Sequence, residues 1–521
     1  MREILYFQAG TFANFVGTHF WNAQESYFTY GEDAPEAFVD HDVSFREGLN
    51  ERGESTFCPR VLLFDRKYFV ANFGPQTDVY GEDCSADAEE VTAPWNGEVV
   101  EYRSDPISRS DYHSQLDAQE QDNARIANEE EEAPTVKESK VRYWSDYSRV
   151  FFHSRSIHRL PDLPEWGDMD GDWVAGAETW QKYDDGIQVI NDAAAFGSFT
   201  ASFLTRFRDD FTKLSCLSFP ILSGCVPGRF DVDDAKSVKK ALNDALLLQG
   251  LSELSALTVP IQSPTIWSQG SWSDGLDLSL SSIYQTSAIL STHLESVTLP
   301  TRLKKNPTDL SSIVAALSWR NDTLFATLQG VLPVSEPSFG DVEKKFYDFS
   351  TAGLDTTTRV VRQQLLLPAS ISTKVLQDVK SVYARLDVTR GFTEPEMSSY
   401  TTWLENTRPT PYSTQVSASV HAPAINVPTS YPRFFRSDLH PQSVKGLGTL
   451  YSTPSLAPLF GAYASVVKDC LGRHADVVNR MGLEADDIKE LRDTLWALED
   501  AYQSEEGIPS ESEELGEDEE F

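Results

Sequence analysis

The sequence lacks the features that identify zinc-binding, membrane-spanning, disulfide-bonded and serine-hydrolase proteins. It contains only five cysteines, at spacings that fit no zinc site, and no apolar run that approaches the roughly 18 residues of a membrane span. A low and odd cysteine count argues against a disulfide-bonded secreted fold and suits reduced thiols in the cytosol. The Gly-x-Ser-x-Gly elbow of serine hydrolases is also missing. These absences predict a protein without a transmembrane segment, a bound metal or a hydrolase site.

Basic residues are scarce as well. The chain has 44 lysines and arginines against 80 aspartates and glutamates, which gives a net charge of −36. Because such a charge repels phosphate groups, we expect neither direct nucleic-acid binding nor unaided docking on anionic lipid. The opening residues read as neither a secretory signal nor an Arg-rich presequence. A role at an organelle would therefore be expected on its cytosolic side.

Much of the acidic excess lies in two segments. Residues 81–140 hold 17 acidic and 5 basic side chains, and residues 503–521 hold 9 acidic and no basic ones. Both have too few aliphatic side chains to offset the entropy of ordering, so we predict a disordered insertion and a disordered tail. The tail either keeps the protein soluble or binds basic surfaces of partners.

The rest of the chain alternates between strand and helix patterns. A short apolar run at residues 4–7 is followed by Gly10 and then by a helical pattern over residues 12–27, and a second strand covers residues 61–64. Further patterns predict a strand at 216–222 and helices at 199–211, 238–248, 280–294, 455–476 and 483–502. This alternation predicts an α/β fold with a doubly wound parallel sheet in the first half.

The first strand, turn and helix form the most informative local pattern. In a doubly wound sheet, a glycine turn after the first strand places a helix N-terminus at the ligand crevice, where it can hold phosphate. The turn here, residues 8–11 (Gln-Ala-Gly-Thr), lacks the Gly-Lys-Ser/Thr of a P-loop. An ordinary structural turn is the alternative interpretation.

The same residues resemble the N-terminus of the tubulins in order and spacing. Residues 58–65 are similar to the tubulin strand that leads to the magnesium-side loop, residues 185–204 to the segment around the phosphate loop, and residues 284–288 to the start of the core helix. The N-terminal residues that carry the resemblance are Met1, Arg2, Glu3, Ile4, Gln8, Ala9, Gly10, Asn14, Gly17, Phe20 and Trp21.

The closer resemblance is to the Misato family of tubulin-like proteins, which are distant relatives of tubulin. Residues 17–22 (Gly-Thr-His-Phe-Trp-Asn), Gln24 and residues 196–200 (Phe-Gly-Ser-Phe-Thr) match the Misato pattern. The resemblance covers residues 1–70 and 180–300 and weakens beyond them. It implies a tubulin-like α/β domain followed by a smaller α+β domain and C-terminal helices.

Departures from the tubulin pattern fall on the nucleotide site. Residues 192–198 read Asp-Ala-Ala-Ala-Phe-Gly-Ser where tubulins have Gly-Gly-Gly-Thr-Gly-Ser-Gly, whose glycines let backbone amides approach the phosphates. Residues 11–13 (Thr-Phe-Ala) replace Gln, Cys and Gly, Lys67 replaces an acidic residue on the magnesium side, and Gln285 replaces the asparagine that faces guanine. We therefore expect neither tight GTP binding nor hydrolysis, and assign no catalytic residue and no cofactor.

Four residues would remain of such a site: Gly10, Asn14, Gly197 and Ser198. Their alternative roles are turn formation and helix capping. The predicted organisation is a tubulin-like N-terminal segment at 1–80, the acidic insertion at 81–140, the continued α/β domain at 141–330, a second α+β domain at 331–450, C-terminal helices at 451–503 and the acidic tail at 504–521.

The Misato resemblance implies a non-enzymatic role in mitochondrial partitioning, distribution and morphology, and in inheritance of mitochondrial DNA. The protein would act in the cytoplasm and on the cytosolic face of mitochondria, through cytoskeletal or outer-surface protein partners, without touching DNA. Two alternatives remain open: a GTP-binding, filament-forming GTPase with rebuilt loops, and an accessory factor for tubulin or spindle assembly.

Overall fold

In a computed structural model of the chain, the apolar N-terminal run is a central strand of a six-stranded sheet. Its strands are β1 (Leu5–Ala9), β4 (Val61–Arg66), β5 (Ile157–Leu160), β6 (Ile187–Asp192), β7 (Cys216–Ile221) and β8 (Leu257–Thr258). They are all parallel, in the order β5-β4-β1-β6-β7-β8. The structure describes residues 3–29, 36–49, 55–66, 112, 116, 141–153, 156–160, 186–228, 230–231, 233–318, 324–334, 342, 344–354, 384–407, 416–436 and 441–502.

The sheet is covered on both faces, as its uninterrupted apolar strands predict. Every residue of β1, β4 and β7 is buried. The helices are α1 (Thr11–Glu25), α2 (Ala193–Asp210), α3 (Ala235–Leu254), α4 (Ile283–Thr298), α5 (Leu310–Leu317), α6 (Glu394–Thr407), α7 (Ala457–Arg473), α8 (Ala475–Arg480) and α9 (Ala485–Ala501). One face of the sheet shares a core with α2, α3 and α7–α9, whereas α1, α4 and α5 lie on the other. The predicted α/β fold with a doubly wound parallel sheet is confirmed.

The start of α2 differs from the sequence prediction. We expected a loop over residues 192–198 and a helix from residue 199, but α2 begins at Ala193, directly after β6. Alanine has the highest helix propensity, so the three consecutive alanines extend the helix back to the strand. No glycine-rich loop therefore separates β6 from α2.

A second sheet follows in the chain. Its strands are β9 (Thr327–Val331), β10 (Tyr347–Asp348), β11 (Ala384–Arg390), β12 (Val416–Ala422) and β15 (Gly446–Ser452), in the order β10-β9-β15-β11-β12. All neighbours are antiparallel except β11 and β12. Two short pairs complete the described strands: β2 (Phe45–Leu49) with β3 (Ser55–Pro59), and β13 (Ile425–Asn426) with β14 (Ser443–Val444).

Helix α4 lies between α1 and the second sheet. It approaches the sheet closely because Gly330 and Gly448 have no side chains: an added Cβ would collide with the ring of His293 at the first and lie 2.9 Å from Val297 at the second. Burial lowers the pKa of His293 to about 3, so this imidazole is a neutral packing group. Helix α4 thus packs α1 against the second sheet.

Several predictions concern residues that the structure does not describe. The acidic insertion at 81–140, apart from residues 112 and 116, the tail at 504–521 and Lys67 lie outside the described residues. Among the helices that are described, none is long and apolar enough to cross a membrane.

Candidate functional site

The candidate site lies where β1, β4 and β6 end and α1 begins. Gly10 makes the turn there with a φ of 114°, a conformation that favours glycine, and its N–H donates to the carbonyl of Phe64 at 3.0 Å. Asn14, in the first turn of α1, donates from Nδ2 to the same carbonyl at 2.9 Å. Two of the predicted site residues therefore lie together at this crevice.

A carboxylate from β6 already caps the N-terminus of α1. Asp192 accepts hydrogen bonds from the backbone N–H of Phe12 at 2.9 Å, through Oδ2, and of Ala13 at 3.0 Å, through Oδ1. Although Asp192 immediately precedes α2, its side chain makes no capping hydrogen bond to that helix. A Cβ added to Gly10 would collide with this carboxylate. Gly10 is thus required by Asp192 as well as by its own φ.

Asp192 is held in an environment that disfavours its charge. Burial raises its pKa to about 7, the two α1 N–H groups oppose that shift, and the charge of Asp65 adds to it. At neutral pH Asp192 is therefore partly ionised while its two oxygens accept hydrogen bonds from the N-terminus of α1.

The carboxylate on the predicted magnesium side also has partners within the chain. Asp65, at the end of β4, is 1% exposed. It accepts from Thr11 Oγ1 at 3.2 Å, from Asn14 Nδ2 at 3.2 Å and from the indole N–H of Trp144 at 3.1 Å. Burial raises its pKa, and these hydrogen bonds limit the rise. Trp144 itself is buried, so the indole fills the space beside the carboxylate.

Aromatic side chains fill the region between α1 and the start of α4, on the predicted guanine side. The Tyr147 hydroxyl donates to the carbonyl of Phe15 at 2.8 Å, and its ring centroid lies 4.8 Å from that of Tyr284. The Tyr284 hydroxyl donates to the carbonyl of Ser430 at 2.6 Å. Gln285, which stands where tubulins have asparagine, accepts from the backbone N–H of Ser279 at 2.8 Å.

The other two predicted residues lie elsewhere. Gly197 is in the second turn of α2 and faces α3, where an added Cβ would lie 3.6 Å from Leu247 Cβ. Ser198 is the next residue of the same helix and is partly exposed. In place of a phosphate loop, this part of α2 therefore contributes a helix–helix contact.

Three residues that build the crevice were not predicted as part of it: Asp192 as a cap, Trp144 and Tyr147. The sequence offered one signal, an acidic residue at the start of the expected phosphate loop, but its partners are 180 and 179 positions away. Trp144 and Tyr147 come from a short helical turn, Trp144–Tyr147, that the pattern left unassigned.

At the N-terminus of α1 the position open to a phosphate is occupied within the chain. A phosphate there would need free amides, and Asp192 already accepts from those of Phe12 and Ala13. The described residues also contain no group of three or more His, Cys, Asp or Glu that could hold a metal ion.

Comparison with known protein families relates the residues of this crevice to tubulin-like domains. A family model described as the Misato segment II tubulin-like domain matches residues 2–118, and one described as a tubulin domain matches residues 133–191 and 169–303. The described N-terminal elements, from β1 to β4, lie within the first match.

Similar proteins occur in fungi and in an insect. Protein dml1 of Aspergillus clavatus is 33% identical over 329 residues, which cover 58% of this chain and 61% of that protein. Protein DML1 of Gibberella zeae is 32% identical over 347 residues, covering 61% and 64%. Protein misato of Drosophila melanogaster is 29% identical over 352 residues, covering 59% and 61%. The chain thus spans about three fifths of the length of these relatives. Together with the two domain matches, these relatives show that the chain is similar to the Misato and Dml1 proteins and contains regions that match a Misato tubulin-like domain and a tubulin domain.

Proposed function

We propose that this chain is a non-enzymatic tubulin-like protein that acts through protein partners in mitochondrial partitioning, distribution and morphology, and in the inheritance of mitochondrial DNA. Its place of action would be the cytoplasm and the cytosolic face of mitochondria. Support for the mitochondrial role comes only from the resemblance to the Misato and Dml1 proteins. Support for the non-enzymatic role comes from the crevice.

One observation carries the non-enzymatic part of the proposal: the polar groups that would meet a nucleotide are already hydrogen-bonded within the chain. The α1 amides bind Asp192, Asp65 binds the indole of Trp144, and Gln285 binds the backbone of Ser279. Displacing Trp144 from Asp65 would leave two buried polar groups without this hydrogen bond, at a cost of about 1–3 kcal/mol each. A protein built in this way keeps the tubulin-like shape without needing the nucleotide.

Calorimetry with GTP and GDP in the presence of magnesium tests this directly. We expect no saturable heat at nucleotide concentrations up to the high micromolar range. Binding in the low micromolar range would overturn the proposal, and the filament-forming GTPase would then replace it.

The proposed location is tested by fractionating cells that express the tagged chain. We expect a mitochondrial fraction whose tag is digested by protease added to intact organelles, next to a cytosolic pool. A tag protected inside intact mitochondria would contradict the cytosolic-face assignment.

A further inference from the structure

The side chain of Asp192 is turned away from the helix that it precedes. An aspartate just before a helix usually accepts from the second or third N–H of that helix. Asp192 makes no such bond to α2, and its two oxygens instead bind one N–H each of Phe12 and Ala13 in α1. The Asp192 side chain therefore stabilises the N-terminus of α1 and not that of α2.

The terminus that Asp192 reaches is suited to an anion. The first N–H groups of a helix lack intrahelical partners and carry a partial positive charge, which makes them a common binding place for phosphate and carboxylate. Here the turn before α1 is kept free of a side chain by Gly10, so the carboxylate can approach both amides. The Asp192 carboxylate therefore contacts these amides in the way that a bound phosphate or carboxylate ion would.

We infer that Asp192 is a built-in anion that takes the place of a nucleotide phosphate and closes the N-terminus of α1 to external oxyanions. The inference rests on the proposed function, and deepens it by naming the group that blocks the site. It predicts that a small oxyanion can bind once the carboxylate is removed. Asp192 is only partly buried, so such an anion can reach the position from solvent.

The test is chemical rescue of Asp192→Ala, with formate and inorganic phosphate as the probes. We expect the variant to unfold at a lower temperature than the natural chain. Formate or phosphate should then raise its unfolding temperature saturably, by about 2 °C or more beyond the effect of sodium chloride at equal ionic strength. The natural chain should show no such excess.

Asp192→Asn is the matched control. Its amide fills the same space without a charge, so we expect a lower unfolding temperature and no rescue by either anion. Asp192→Ser provides a second open variant should the alanine variant not fold, because serine can cap α2 instead.

The inference is overturned if formate and phosphate stabilise the open variants no more than they stabilise Asp192→Asn. That result is distinct from failure of the proposed function, which would appear as GTP binding to the natural chain. If formate or phosphate stabilises the open variants, and the natural chain shows neither that stabilisation nor GTP binding, both the inference and the proposed function are supported.

Discussion

At the residue scale, burial raises the pKa of two of the described aspartates to about 7. Asp192 is one, and Asp244 in α3 is the other. Asp244 is fully buried, and it accepts from the hydroxyls of Ser223 at 2.6 Å and Tyr463 at 2.9 Å. Burial raises its pKa to about 7, against the hydrogen bonds from Ser223 and Tyr463. The ionised fraction of each group therefore falls as the pH drops below about 7.

The raised pKa of Asp244 predicts a pH dependence of stability. Between pH 3.8 and about 7 the folded chain keeps a proton that the unfolded chain releases, so the free energy of unfolding falls as pH rises through that window. Asn at position 244 cannot titrate. We therefore expect Asp244→Asn to flatten the profile by up to about 1.4 kcal/mol per pH unit in urea unfolding.

Asp469→Asn, at an exposed position of α7, is the control for this measurement and should leave the profile unchanged. Parallel profiles for the natural chain and Asp244→Asn would contradict the assignment.

At the element scale, helices and strands with strong periodicity were predictable and the contacts between their ends were not. The sequence predicted β1, β4 and β7 from short, largely apolar runs and α1 from apolar residues at helical spacing. It misplaced the start of α2, because the resemblance to a glycine loop outweighed the helix propensity of residues 193–195.

In the crevice, too, some residues were predictable from the sequence and the contacts between distant elements were not. Gly10 and Asn14 could be found from the local resemblance around the turn, although the partners of Asn14, Phe64 and Asp65, lie 50 and 51 positions away. The pairing of Asp192 with α1, and of Trp144 with Asp65, depends on the topology that brings distant strand ends to one edge of the sheet. No local pattern contains that information.

The contact between Tyr502, which follows α9, and the backbone of Phe325 can be tested by removing the Tyr502 hydroxyl. The Tyr502 hydroxyl accepts from the N–H of Phe325 and donates to its carbonyl, both at 2.7 Å, and Tyr502 is fully buried. Tyr502→Phe leaves both backbone groups without a partner. We expect a loss of about 1–3 kcal/mol in the free energy of unfolding.

Hydrogen exchange locates this effect, because the Phe325 amide should exchange faster in the variant. Unchanged stability together with unchanged protection at Phe325 would show that the contact is not made.

At the scale of the whole molecule, a buried ionic network joins the core helix α4 to the second sheet and to the end of α1. Glu295 of α4 pairs with Arg390 at the end of β11 at 2.5 Å and with Arg302 at 3.4 Å, and all three are nearly inaccessible to solvent. Arg390 also donates to the hydroxyl of Tyr27, just beyond α1, at 2.8 Å. Burial opposes ionisation of Glu295, but the two guanidinium groups hold its pKa below the ordinary value.

Removing the charge of Glu295 should therefore weaken the whole fold. Glu295→Gln leaves two buried guanidinium groups without a counter-charge, and we expect a loss of about 3–5 kcal/mol in urea unfolding. The control is Glu396→Gln, which breaks the partly exposed pair with Lys445 and should cost about 1 kcal/mol or less. Equal losses for the two variants would contradict a structural role for the network.

The position of β1 within the first sheet also bears on synthesis. This strand comes first in the chain, yet it pairs with β4 and β6, and the carboxylate that caps α1 follows 180 residues after Phe12. While β6 and α4 are still on the ribosome, α1 lacks both its cap and the helix against which it packs most extensively. The nascent N-terminal segment should therefore expose apolar side chains that chaperones bind until α4 emerges, which delays the folding of this chain.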